Sequence, residues 1–224
     1  MDKLVRKIEV PLARRAIERA GLYIVQRNDL DRLAEVAADA YRDYPLHNWF
    51  NGGKYDELAS RLLMLVTLKT MTEDAVIYAD SKEINGFAAW LPFGFTGNST
   101  VPFLMKGGLR LFCHSGVGFV GRLIKYESYA MNLKKKFTDN YDWYLFNLSI
   151  KKDAQGKGIA SKLMRPMLQF CDDERMVAYL ETNKAENVGL YRHYGFDLMN
   201  EELIPKTPVM HYSMVRRPIE EKSL

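Results

Sequence analysis

The sequence is short of several things that would otherwise settle its class. It has two cysteines in 224 residues, Cys113 and Cys171, too few and too far apart for a disulfide framework or a thiolate metal site. Its four histidines show no metal-ligand spacing, so no metal is expected. No run approaches the ~18 apolar residues of a membrane-spanning helix, and the N-terminus lacks the unbroken apolar stretch of a secretion signal. These absences lead us to expect a soluble, cytoplasmic protein with no membrane partner. Repeats, low-complexity tracts and long Pro/Gly/Ser linkers are missing as well, which argues for one domain. Two nucleotide fingerprints fail. The phosphate loop G-x-x-x-x-G-K-[ST] is absent, and Ser161 stands at the last position that G-x-G-x-x-G/A requires.

What is present suffices for a sizeable core, with 47% hydrophobic and 27% charged residues. The net charge of +4 is concentrated at the start, where Lys3, Arg6, Lys7, Arg14, Arg15 and Arg19 face only Asp2, Glu9 and Glu18. We read residues 1–20 as a basic N-terminal extension, residues 21–217 as a single domain and 218–224 as a tail. Without interleaved aromatics the basic arm reads as a solvated helix face, so no nucleic-acid partner is expected. The run Lys134-Lys135-Lys136 is read the same way.

Periodicity orders the rest. Leu22 to Val25 suits a strand, and Asp29 then offers an N-cap to a helix with Leu30, Leu33, Val36, Ala37 and Ala40 on one face. After a break at Tyr44-Pro45, Leu58, Leu62, Leu65 and Leu68 mark a second helix. Ala75 to Ala79 and Ile84 to Leu91 read as two strands of a hairpin. The span 92–140 is glycine- and aromatic-rich with weak periodicity, and is read as a variable substrate-side insertion of helices or a lid. Beyond it the texture alternates clearly. Strand Trp143 to Ile150, helix Gly158 to Cys171, strand Val177 to Glu181 and a short helix Asn187 to Tyr194 follow in turn. Strands near Phe196 to Leu203 and Val209 to Val215 close the chain. Such an order implies an α/β (α+β) fold, a mixed sheet flanked by helices. Pro166 should bend its helix or divide it, although Ile159, Leu163, Met167 and Phe170 keep one face through it.

The segment that carries chemistry is Asp153-Ala154-Gln155-Gly156-Lys157-Gly158-Ile159-Ala160-Ser161, between an apolar strand and an apolar-periodic helix. Glycines let the backbone turn its N–H groups inward, and a helix start adds partial positive charge, so a pyrophosphate can be held largely by main chain. Lys157 adds a full charge. A glycine-rich turn by itself also serves simply as a turn.

Here the chain resembles the GNAT N-acetyltransferase family. Gln155-x-x-Gly158-x-Ala160 has the form of its acetyl-CoA signature (Q/R)-x-x-G-x-(G/A). The strand Trp143 to Ile150, Leu180-Glu181-Thr182, and Asn187-Val188-Gly189-Leu190-Tyr191-Arg192-His193-Tyr194-Gly195-Phe196 match further family elements in the same order. Trp143 to Pro218 is similar to puromycin N-acetyltransferase-like members, while 92–140 has no close motif match. The resemblance implies a central mixed, mostly antiparallel twisted sheet with a V-shaped opening between two parallel central strands. It implies acetyl-CoA as the acyl donor and a small-molecule amine as acceptor, with a homodimer as an option.

It also implies roles. Backbone N–H groups around Leu148, Ser149 and Ile150 would hold the acyl-pantetheine arm, and those of Gln155, Gly156, Lys157, Gly158, Ile159, Ala160 and Ser161 the pyrophosphate. Tyr191 would protonate the thiolate, and Asn187 would orient the arm or Tyr191, or else cap its helix. Glu181, at a strand end, is our candidate general base, or an electrostatic anchor for a cationic amine. His47 is a second candidate base, and His47, Trp49, Trp90, Phe93 and Tyr144 are candidates to line an acceptor pocket. Two alternatives stay open: a peptide or protein amine acetyltransferase, and a non-catalytic acyl-CoA-binding sensor.

Overall fold

A computed structural model describes residues 2–92, 103–138 and 142–219, with side chains from residue 9 onward. Helix α1 (Asp2–Arg19) precedes β1 (Tyr23–Ile24), α2 (Leu30–Ala40), α3 (Pro45–Phe50) and α4 (Glu57–Met71). Strands β2 (Val76–Ala79) and β3 (Gly86–Leu91) lead to α5 (Leu109–Phe137) and β4 (Trp143–Ile150). Helix α6 (Ile159–Asp173), β5 (Ala178–Thr182), α7 (Ala185–His193), β6 (Asp197–Leu203) and β7 (Met210–Arg216) complete the chain. The seven strands form one sheet in the order β1-β2-β3-β4-β5-β7-β6. Every neighbouring pair is antiparallel except β4 and β5. This is the expected mixed, mostly antiparallel sheet flanked by helices.

Both faces of the sheet are covered, as the alternation of strand side chains requires. Val76, Tyr78, Ala88, Trp90, Trp143 and Leu145 join α6 and α7 in one core. Ile77, Ala79, Phe87, Ala89 and Leu91 point the other way, onto α2 and α4. A third cluster joins Phe50, Leu62, Leu111 and Phe119 to Ile204 and Val209. Within the basic N-terminal segment, Val10, Ala13 and Ile17 are buried in the first of these cores and α1 lies against α6.

Several local departures from the sequence reading have plain causes. Tyr44-Pro45 is a helix start, with Pro45 at the first helical position, where its missing N–H costs nothing. Asp29 makes no side-chain cap to α2; its carboxylate accepts from the Gln26 N–H and the Tyr23 hydroxyl, both at 2.8 Å. Helix α6 continues through Pro166. The Tyr78 hydroxyl donates to the Leu163 carbonyl one turn earlier, at 2.7 Å, a tertiary bond beside the turn the proline weakens. Helix α5 is much longer than the weak periodicity suggested, and is interrupted at Gly116, whose φ of 73° breaks the regular pattern. At the far end, Arg216 grips Asp172 with two bonds of 2.8 and 2.7 Å and donates to the Tyr194 carbonyl, fastening β7 to α6.

The feature that positions the site is a ladder that stops. β4 and β5 pair only at Trp143↔Ala178, Tyr144↔Tyr179 and Leu145↔Leu180. At the same point the register of β4 against β3 shifts, from Trp90↔Leu145 to Ala89↔Asn147, so Phe146 is a bulged extra residue. Beyond it the β5-facing edge of β4 has no ladder partner.

Candidate functional site

The unpaired edge of β4 carries directed main-chain donors. Lys151 N–H bonds to the Asn85 carbonyl at 2.9 Å, so in the antiparallel ladder Ser149 and Asn147 also turn their polar groups toward β3. The intervening residues, Leu148 and Ile150, turn theirs toward the gap. The Gln155 side chain reaches the Ile150 carbonyl there at 3.1 Å, tying the loop to the strand end. The Ser149 side chain itself is fully buried.

That loop leads to the start of α6. Gly156 and Gly158 have φ of 75° and 79°, the left-handed region that favours glycine, and a Cβ at either would meet open space. Lys162 donates the first bond of the helix, to the Gly158 carbonyl at 3.0 Å, so Ile159, Ala160 and Ser161 present N–H groups without intrahelical partners. Gly86 on β3 lets this helix start lie close: a Cβ there would stand 2.9 Å from Ile159 Cγ2 and 3.2 Å from the Ser149 carbonyl. Lys157 is exposed beside the turn.

Next to the gap lies a cavity of about 220 Å³. Its walls come from Tyr41, Tyr44, His47 and Phe50 on one side and from Tyr126, Glu127, Ala130 and Lys134 of α5 on another. Tyr144, Phe146 and Leu148 of β4, Glu181 of β5, and Asn187 and Tyr191 of α7 add to them, and Leu63, Met64, Thr67 and Met71 of α4 close a further side. The structure thus brings Glu181, Tyr191, Asn187, His47, Tyr144 and Leu148 to one space. It does not bring the two tryptophans: Trp90 is fully buried in the core and donates its indole N–H to Tyr78 at 3.0 Å, and Trp49 packs outside the cavity beneath Lys125. Both were expected there because large aromatics suit a pocket, but the sheet face and helix side on which they stand point elsewhere. Phe93 lies outside the described residues.

Glu181 is poised. Tyr179 donates to one carboxylate oxygen at 2.9 Å and Tyr126 to the other at 3.4 Å. Burial nevertheless outweighs these bonds and the attraction of Lys134, pushing its pKa up to about 7. It can therefore hold or release a proton near neutrality. His47 differs: it is stacked 4.1 Å from Tyr41, its Nδ1 lies 2.9 Å from Ser60 Oγ, and burial lowers its pKa to about 3. A ring so reluctant to take a proton is a poor base. Tyr191 is buried, and desolvation with the neighbouring Tyr44 and Tyr41 raises its pKa further above that of a free phenol. Asn187 donates to Thr182 Oγ1 at 3.0 Å, and Thr182 in turn meets the Tyr44 hydroxyl at 3.0 Å, which fixes the start of α7 to the end of β5.

Sequence reasoning passed over Tyr41, Tyr44, Tyr126, Glu127 and Lys134. On α5 Glu127 and Lys134 stand two turns apart on one face, with Tyr126 beside the first, and all three line the cavity. The lysine run needs correction. Lys135 and Lys136 are exposed, but Lys134 turns inward to within 4.2 Å of the Tyr144 ring centroid. Among the described residues no group of three or more His, Cys, Asp or Glu could hold a metal ion, and no helix is long and apolar enough to cross a membrane.

Comparison with known proteins gives the geometry its context. Residues 115–198 match the family model of the Acetyltransferase (GNAT) domain. The chain is 25% identical over 182 residues to an uncharacterized N-acetyltransferase of Schizosaccharomyces pombe, covering 77% of this chain and 72% of that one. Its fold is similar to a solved structure described as histone acetyltransferase HPA2 and related acetyltransferase from Corynebacterium glutamicum, with a TM-score of 0.61, 18% identity, and coverage of 90% of this chain and 98% of that one. Arylalkylamine N-acetyltransferase 2 from Aedes aegypti gives a TM-score of 0.56 at 19% identity, over 88% of this chain and 97% of its own.

Proposed function

We propose that this protein is an acetyl-CoA-dependent N-acetyltransferase that acts on the primary amine of a small molecule by direct attack in a ternary complex. The observation that carries this reading is the shared space in which the open β4 edge, a carboxylate poised near neutrality and a protonated phenol meet. The GNAT match and the S. pombe relative support the transferase class.

Acetyl-CoA, when bound, supplies a thioester whose acyl carbon is open to an amine. The residues fit such a group. The N–H groups of Ile159, Ala160 and Ser161, with room left by Gly156 and Gly158, suit a pyrophosphate, and Gln155 and Lys157 flank them. The N–H groups of Leu148 and Ile150 suit an extended amide-bearing arm laid along the vacant strand edge, and a carbonyl oxygen directed at them would be polarised. Ser149 positions these two by holding to β3, and Asn187 holds α7 against the cavity.

Glu181 acts as general base. Its raised pKa lets it accept a proton from an ammonium or an attacking amine, and its position on the wall draws cations in. Tyr191 stays neutral at pH 7 and holds the proton available on the cofactor side. A cavity of about 220 Å³ lies below the range of drug-sized pockets and suits a small acceptor better than a peptide. Its aromatic walls suit an acceptor that carries a ring. The likeness of Trp143 to Pro218 to puromycin-acetylating members rests on short motifs, and the acceptor side of the cavity, built from α3 and α5, lies outside that stretch.

The test is thermal unfolding with acetyl-CoA, followed by thiol release with a panel of amines. Ligand at one hundred times its dissociation constant adds about 2.7 kcal/mol, a rise of roughly 5–11 °C for a chain of this size. Gly158→Val, which forces a side chain into left-handed backbone and into the cradle, should abolish the rise. No shift at millimolar acetyl-CoA in the unaltered protein would sink the proposal.

A further inference from the structure

We infer that Lys134 is a specificity-determining residue of the acceptor cavity, whose ammonium group reads an anionic group, in the simplest case a carboxylate, carried by the amine substrate. The inference rests on the cavity being the acceptor site.

Lysine ordinarily keeps its charge in water, as Lys135 and Lys136 do here. Lys134 instead leaves the last turn of α5 for the cavity wall, and lies 4.2 Å from the Tyr144 ring centroid. An aromatic face stabilises a cation without neutralising it. Among the described residues no carboxylate comes within the 4.0 Å of an ion pair with it. Glu181 and Asp142 attract it from further off; the first is engaged by Tyr179 and Tyr126, and the second stands outside the cavity lining. Glu127 also faces the cavity, from two turns earlier on the same helix, and the phenols of Tyr41, Tyr44, Tyr126, Tyr144 and Tyr191, with the His47 imidazole, complete its titratable groups. Burial lowers the pKa of Lys134, the mark of a charge held with less solvent than it prefers.

This arrangement discriminates. When Glu181 takes a proton, Lys134 keeps only the pull of Asp142, which lies outside the cavity lining, and a carboxylate on the acceptor restores a counter-charge within the cavity. A plain ammonium ion, by contrast, brings a second cation beside Glu181 and Glu127, carboxyls whose pKa burial raises, and has no group to set against the Lys134 ammonium.

The experiment compares two ligands that share a ring and an amine. Phenylalanine carries a carboxylate and 2-phenylethylamine does not. Isothermal titration at pH 7 on the full chain should show phenylalanine binding about tenfold tighter. Lys134→Met should reverse the order and Lys134→Arg should keep it. Unfolding midpoints, together with the acetyl-CoA shift, establish that each variant is folded. An unchanged ratio in Lys134→Met overturns the inference, as does a preference of the unaltered protein for 2-phenylethylamine, or failure of both ligands to bind. Thiol release tests the acetylation reading separately: a reversed binding ratio without thiol release would sink that reading and leave the role of Lys134 standing.

Discussion

Replacing Glu181 by glutamine should make the protein more stable and less active at once. The carboxylate has a pKa near 7 in the folded chain against 4.5 as the ordinary value, because burial disfavours its charge. A raised folded-state pKa means that the stability Glu181 contributes is fully present below pH 4.5 and is lost as pH rises through 7. At about 1.36 kcal/mol per unit, the penalty for keeping it ionised is about 3 kcal/mol at pH 8 and about 1 kcal/mol at pH 5.5. The substituted amide is neutral at every pH and retains an acceptor for Tyr179. Urea unfolding of both proteins should therefore show the variant more stable by about 3 kcal/mol at pH 8, or roughly 6–12 °C in Tm, with most of the gain gone at pH 5.5. Thiol release should fall by about 10²–10⁴-fold. A variant no more stable than the parent at pH 8 would refute the claim that burial forces this charge upon the protein.

Other outcomes follow from the same geometry. In the parent, kcat/KM should rise with pH through an apparent pKa near 7 as Glu181 ionises, and this acid limb should vanish in Glu181→Gln. Tyr191→Phe should lower kcat for thiol release by about tenfold or more while the acetyl-CoA thermal shift persists; an unchanged kcat would remove the acid role. Gly86→Ala places a Cβ 2.9 Å from Ile159 and 3.2 Å from the Ser149 carbonyl, so it should cost about 1–3 kcal/mol in unfolding assays and weaken acetyl-CoA binding by calorimetry. His211 is fully buried, and its pKa is depressed from 6.5 to about 4 by burial, with Glu202 opposing. The unfolded chain thus takes up the proton first, and stability falls as pH drops from 6.5 toward 4, by on the order of 3 kcal/mol from this group. His211→Leu should flatten that part of the stability profile, and a slope unchanged by the substitution would count against it.

The C-terminal half was legible because its signals are local. β4 alternates buried and half-buried positions along its whole length, and the α6 face survives Pro166 because Leu163, Met167 and Phe170 all reach the core. The glycines at 156 and 158 announced a special backbone, and both have positive φ. What the sequence concealed was tertiary. Pro45 looks like a breaker whether it ends one element or opens the next, and only the chain's path decides. α5 was obscured by Gly116, Gly118 and Gly121 in its first half, which lower helix propensity and hid its continuation into the cavity-lining residues Leu123 to Lys134. Trp90 and Tyr144 look equivalent as aromatics on strands, yet one is sealed in the core and the other faces the cavity. Nothing in Lys134-Lys135-Lys136 marks the first lysine as different; the phase of α5 against β4 does.

The early end of the β4–β5 ladder also supplies a built-in gauge of occupancy. The amides of Asn147 and Ser149 are engaged with β3 and should exchange their hydrogens with solvent slowly, whereas those of Leu148 and Ile150 open onto the gap and should exchange quickly. A molecule that completes the missing rung would slow the fast pair and leave the slow pair alone. Along one short strand, alternate positions therefore report two different things: whether the protein is folded, and whether its gap is filled.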